Sequence, residues 1–208
     1  MTKAILYYVH DPMCSWCWGF SRALTALLES LPQEIEVQRL LGGLAPDSDI
    51  AMPESMQEQI KSNWSRIEDT ISGVKFNFDF WTEAIPRRST YPACRAVIAA
   101  RQQGEQYDVL MTQEIQKAYY QEARNPSDNS TLIELANNLG LSIDTFKKDL
   151  VSEETQEKLM EEISIARELY AESYPNIVLK TGDSIQSIPI NYNDSNVMLN
   201  AIEKTLLI

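Results

Sequence analysis

Cysteine and histidine are scarce in this chain, with three cysteines and one histidine among 208 residues. A structural zinc site takes four ligands, commonly two pairs at short spacing. Only Cys14, Cys17, Cys94 and His10 are on offer, from a strand end and a distant helix, so no metal is expected. Basic residues are in deficit as well: 18 Lys and Arg stand against 30 Asp and Glu, for a net charge of −12. Such a surface repels a phosphate backbone and an anionic bilayer, which makes nucleic acid and membranes poor partners. No apolar run approaches the roughly 20 residues of a membrane span. The apolar stretch at residues 4–9 is shorter than a signal-peptide core and lacks a small-residue cleavage site. The expected compartment is the cytoplasm, where a permanent disulfide is disfavoured.

What is present describes an ordinary globular chain. Hydrophobic residues make up 44% and charged residues 23%, which suits a packed core rather than long disorder. "AILYYV", bounded by Asp11-Pro12, has the short β-branched and aromatic character of a buried strand. Phe20, Leu24, Leu27, Leu28 and Leu31 then recur at helical spacing until Pro32. "EIEVQRLL" alternates Ile35, Val37 and Arg39 with other residues before Gly42-Gly43, the pattern of a second strand.

The middle of the chain is mostly helical. Met56, Ile60, Trp64, Ile67 and Ile71 form one stripe, and "VKFNFDF" interrupts it as an extended segment. Thr90 caps a helix with Pro92 in its first turn, running to about Gln103. Further stripes follow from Tyr107 to Tyr119 and from Leu132 to Leu139, the latter ended by Gly140. Ser142 opens a short helix. Residues 153–171 form a charged amphipathic helix, "NIVLK", "TGD" and "SIQSIPINY" make a hairpin, and Asp194 caps a last helix to about Leu207. The order is β-α-β, a helical block, then α-β-β-α. The fold class is therefore α/β, a thioredoxin fold with an inserted α-helical domain. Its expected divisions are residues 1–45 and 153–208 for the core and 46–152 for the insert.

The chemistry concentrates in "HDPMCSWCWGF". A Cys-x-x-Cys that follows a strand and opens a helix puts its first thiol over unpaired backbone N–H groups and the positive end of the helix dipole. Both stabilise a thiolate. Cys14 is the candidate nucleophile. Cys17, one turn into the helix, is placed to attack the mixed disulfide and release the product. Trp16 lies between the cysteines and is expected to face the substrate.

"DPMCSWCWGF" after a short apolar strand resembles the active site of the DsbA-like thioredoxin superfamily, close to its cytosolic FrnE-like branch. The resemblance implies a thiol–disulfide oxidoreductase with a helical insert, over essentially the whole chain. It also implies a cis-proline facing the dithiol. The matching segment is "ESYPNIVLK", with Pro175 as that proline and Tyr174 before it as substrate-positioning residues. Implied partners are protein or small-molecule thiols and disulfides, glutathione among them, with no cofactor. Two departures stand out. Ser15-Trp16 contains neither proline nor histidine, and "AILYYV" lacks the buried carboxylate that many thioredoxin-fold enzymes keep for the resolving cysteine. Two rival functions share the architecture: a glutathione-dependent transferase or isomerase, and a non-enzymatic redox-sensing adaptor.

Four other features have simpler expectations. Cys94 reads as a small buried hydrophobe, with a regulatory role as the alternative. Arg87-Arg88 reads as solvated surface, with a substrate carboxylate or glutathione as the alternative ligand. Phe76, Phe78, Phe80 and Trp81 read as core packing between the insert and the thioredoxin body, with a peptide groove as the alternative. His10, four residues before Cys14, is near enough in sequence to tune it.

Overall fold

The structure, a computed structural model, describes residues 4–206. The chain opens with β1 (Ala4–His10), α1 (Ser15–Ser30) and β2 (Ile35–Leu41). β1 and β2 are parallel, with Ala4 opposite Ile35 and His10 opposite Leu41. Parallel strands need a crossover connection, and α1 supplies it.

The helical insert comes next: α2 (Glu54–Thr70), α3 (Phe80–Glu83), α4 (Tyr91–Arg101), α5 (Tyr107–Tyr120), α6 (Asn129–Asn138) and α7 (Ile143–Leu150). The chain then returns through α8 (Glu153–Glu168), the hairpin β3 (Asn176–Thr181) and β4 (Ser184–Ile188), and α9 (Ser195–Leu206). The sheet order is β2-β1-β3-β4, with β3 antiparallel to both of its neighbours. This is the α/β thioredoxin fold with a helical insertion.

Alternation along β1 separates the two faces of the sheet. Leu6 and Tyr8 pack with Phe20, Leu24 and Leu27 of α1 and with Met198 and Ile202 of α9. Tyr7 and Val9 pack on the other side against Ala166 and Leu169. Phe20 and Leu27 are fully buried, each stabilising the fold by about 1.5–3 kcal/mol. The insert has its own core around Trp64, whose ring stacks on Phe76 at 4.8 Å and meets Phe80, Trp81, Tyr119 and Tyr120.

Several local expectations need correction. "VKFNFDF" is not extended throughout: the Asn77 side-chain oxygen accepts from the Asp79 N–H at 3.0 Å, and this Asx turn starts α3 at Phe80. Ile35 and Val37 alternate with polar residues on β2 as the pattern implies, but Val37 is 38% exposed on this edge strand where Ile35 is buried. Thr90 occupies the N-cap position of α4 but makes no capping bond, since its hydroxyl is engaged by Asp11. Leu207, the expected end of the last helix, lies outside the described residues.

Candidate active site

The turn that carries the dithiol is built by Asp11. Its side chain is fully buried, and one oxygen accepts from the Met13 N–H at 2.8 Å. The other accepts from the Leu44 N–H at 2.7 Å and the Thr90 hydroxyl at 2.6 Å. The Cys94 thiol points at the same oxygen from 3.5 Å. One carboxylate therefore ties the end of β1, the loop after β2 and the start of α4 together. Burial raises its pKa from the ordinary value, against these stabilising hydrogen bonds. Its role as a hub was not legible beforehand; an aspartate before a proline signals a turn and nothing more.

Cys14 is the N-cap of α1, with extended backbone and no side-chain capping bond. No acidic residue occupies the first turn, so the free N–H groups of α1 are left to the sulfur side of the helix. The Cys14 thiol donates to the Tyr174 carbonyl oxygen at 3.4 Å, and the Tyr174–Pro175 peptide bond is cis. Tyr174 is anchored in turn, its hydroxyl donating to the Gly42 carbonyl at 2.7 Å. A Cβ at Gly42 would sit 2.1 Å from the Tyr174 ring, so that contact requires glycine. Burial raises the Tyr174 hydroxyl to about 12.

Cys14, Trp16 and Tyr174 line one cavity of about 200 Å³, together with Trp64, Arg88 and Tyr119. Trp16 is half-buried, packing on Tyr192 at 5.2 Å with the Arg66 guanidinium 5.6 Å above its ring. Pro175 is buried beside Tyr174 and does not line the cavity. Cys17 is only 1% exposed. Burial, and then the hydrogen bond and charge of neighbouring Cys14, push the Cys17 thiol well above its ordinary pKa. All three cysteines are free thiols.

The remaining candidates separate. His10 is fully buried, stacked on Tyr8 at 4.8 Å, with Nε2 3.4 Å from Arg39. Burial and the Arg39 and Arg101 charges hold its pKa well below 6.5, so it is neutral. Cys94 is fully buried, and burial and the Asp11 charge push its thiol up. Arg87 is not free surface: it binds the Asp128 carboxylate and the Ser127 carbonyl. Arg88 is exposed at the cavity mouth. Phe76, Phe80 and Trp81 belong to the core around Trp64, and Phe78 lies at its edge.

Sequence reasoning also missed a buried charge network beneath β2. Arg39 binds Asp108 at 2.6 Å, Arg101 bridges Asp108 and Glu162, and Glu162 accepts from the Leu41 N–H at 2.7 Å. It joins the sheet to α4, α5 and α8, and no local spacing announces it.

Three known proteins frame this geometry. The ClpXP adapter protein SpxH of Bacillus subtilis is 27% identical over 176 residues, 83% of this chain. The chain spans 56% of that relative's length. A candidate protein disulfide isomerase from Nitrosomonas europaea has the same fold, with TM-score 0.84, 24% identity and coverage of 99% of this chain and 98% of that one. The cytosolic disulfide reductase DsbM from Pseudomonas aeruginosa also shares it, with TM-score 0.77, 22% identity and coverage of 98% and 100%. The family profile described as Thioredoxin matches residues 7–198. The chain belongs to the thioredoxin family.

Proposed function

We propose that this protein is a cytoplasmic thiol–disulfide oxidoreductase that works through Cys14 and Cys17. The observation that carries the proposal is the Cys14 thiol at a helix N-terminus, 3.4 Å from the Tyr174 carbonyl and open to a cavity. The Cys14 thiolate attacks a disulfide R–S–S–R′, forms Cys14–S–S–R and expels R′S⁻. Cys17 then attacks the Cys14 sulfur, expels RS⁻ and leaves the Cys14–Cys17 disulfide. Both electrons come from the dithiol, and two equivalents of an external thiol such as glutathione restore it, leaving as their own disulfide.

Trp16 and Tyr174 form the substrate-facing wall in this proposal, and buried Pro175 backs Tyr174 from behind. Peptide or small-molecule disulfides dock against this wall, with Arg88 available to a carboxylate at the cavity mouth. Residues 46–152 act as the inserted domain that covers the dithiol, held to residues 1–45 and 153–208 through Asp11 and the Arg101–Glu162 pair. No metal or cofactor enters the exchange.

A second function has support of its own, because the relative SpxH is a ClpXP adapter protein by name. An adaptor needs no turnover. Reduction of a small disulfide at catalytic enzyme concentration, abolished by Cys14→Ser, supports the enzyme. Stoichiometric oxidation without turnover supports the redox-sensing adaptor.

A further inference from the structure

The two cysteines open onto different cavities. Cys14 lines the substrate-side cavity with Trp16 and Tyr174. Cys17 lines a second one of about 100 Å³ that shares no residue with the first. This second cavity runs along the Cys17, Ser21 and Leu24 stripe of α1, between α5 and the sheet. Its polar wall is Tyr8, Arg39, Thr112 and Gln116, and it reaches the surface at exposed Thr25 and Gln113. That volume holds several water molecules, and the wall offers them hydrogen-bonding partners.

In the exchange proposed above, Cys17 must lose its proton before it can attack. Cys17 is almost fully buried, β1 holds no carboxylate, and Asp11, whose charge reaches Cys17, has both oxygens engaged by Met13, Leu44 and Thr90. The substrate itself blocks the Cys14 side during this step. We propose that the Tyr8 hydroxyl is the group through which Cys17 passes its proton to the water of this second cavity. This presupposes the dithiol exchange and adds the route by which its resolving step is deprotonated.

The geometry fits that task. Alternation of β1 aims Tyr8 at α1, where its ring packs against Phe20 at 6.2 Å and stacks on His10. The Arg39 guanidinium lies 5.2 Å over the same ring. The ring is thus fixed on several sides, and Tyr8 and Cys17 line the same cavity. Burial and the facing Cys17 hold the Tyr8 proton on, well above the usual pKa, so a tyrosinate is not the base. The hydroxyl works as a neutral relay instead. The Cys17 S–H bond breaks, its proton joins the Tyr8 oxygen, and the proton Tyr8 already held moves to cavity water. The electron pair stays on sulfur and forms the bond to Cys14 as RS⁻ leaves. Tyrosine ends neutral, and one proton has crossed from Cys17 to solvent.

An aromatic disulfide with a coloured thiol product separates the steps in a stopped-flow experiment. The first coloured equivalent reports attack by Cys14, and the second reports resolution by Cys17. Tyr8→Phe keeps the ring and removes only the hydroxyl. It is expected to leave the first phase unchanged and to slow the second on the order of 10²-fold, the low end for a positioned proton transfer. The pH profile of the second phase should also move upward. Tyr7→Phe, on the opposite face of β1, should match the unsubstituted protein in both phases. A second phase in Tyr8→Phe that equals the unsubstituted protein at every pH, or two phases slowed alike, overturns the assignment. If the unsubstituted protein releases no second equivalent, the dithiol exchange itself is wrong and the Tyr8 role falls with it.

Discussion

The Cys14 thiol donates a hydrogen bond to the Tyr174 carbonyl oxygen across 3.4 Å, although the residues are 160 positions apart in the chain. Two remote segments, the start of α1 and the turn before β3, therefore meet at one sulfur. The contact exposes one face of Cys14 to a cavity while Cys17 stays inside.

Alkylation at neutral pH should consequently discriminate among the thiols. Cys14 is 7% exposed at a free helix N-terminus, whereas Cys17 is 1% exposed and Cys94 fully buried. Peptide mapping after brief iodoacetamide treatment is expected to find Cys14 modified on the order of tenfold faster or more than either other cysteine. Equal labelling of all three would remove the nucleophile assignment.

Intrinsic fluorescence should follow the redox state. A disulfide quenches a nearby excited indole, and Trp16 and Trp18 are the immediate sequence neighbours of Cys17. Trp64 lines the Cys14 cavity but belongs to the insert core and should respond less than Trp16 and Trp18, and Trp81, which does not line that cavity, least. Emission is expected to rise on reduction, to lose that change in Cys14→Ser and to keep it in Cys94→Ser. Loss of the signal in Cys94→Ser would mean that the insert supplies half of the working disulfide.

Asp11 gives a stability prediction. Asp11→Ala strands the buried donors that it serves, chiefly the Met13 and Leu44 N–H groups and the Thr90 hydroxyl. The expected loss is about 3 kcal/mol, from buried donors left at about 1–3 kcal/mol each with partial relaxation. Chemical denaturation measures it, and a loss below about 0.5 kcal/mol would contradict the hub.

His10 sets part of the acid limb of stability. Its native pKa lies well below 6.5, so the folded chain resists the proton that the unfolded chain accepts there. Stability is full above pH ~6.5 and falls as the pH drops below it, since the unfolded state then binds more protons. Asp108, Arg39 and Arg101 surround this region and are joined to one another by ion pairs. His10→Phe keeps a ring against Tyr8 and should flatten the fall between pH 6.5 and 5, which melting curves across that range would reveal. An unchanged slope would show that His10 binds its proton equally in the folded and unfolded chain, contradicting its burial as a neutral ring.

Much of this architecture follows from local patterns. The apolar run of β1, the stripe of α1 and the hairpin signals before α9 are each set by neighbours a few residues apart. Cys14 and Cys17 are legible for the same reason, since strand, turn and helix start within one short segment. What escaped local pattern depends on register and long-range contact. Tyr8 and Tyr7 are adjacent and chemically alike, yet only their opposite faces decide which one meets Cys17. Thr90 has a capping residue's sequence context, but Asp11, 79 positions earlier, takes its hydroxyl. Glu162 sits in an acidic stretch and is nevertheless mostly buried, because Arg101 and the Leu41 N–H compensate its charge.

The most direct test of the central claim is intact-mass analysis after mixing the reduced protein with oxidised glutathione. The unsubstituted chain should end without adduct, carrying a Cys14–Cys17 disulfide. Cys17→Ser should instead retain a single glutathione, mapped by peptide analysis to Cys14. An adduct on Cys94, or a Cys17→Ser protein that stays unmodified, would contradict the mechanism.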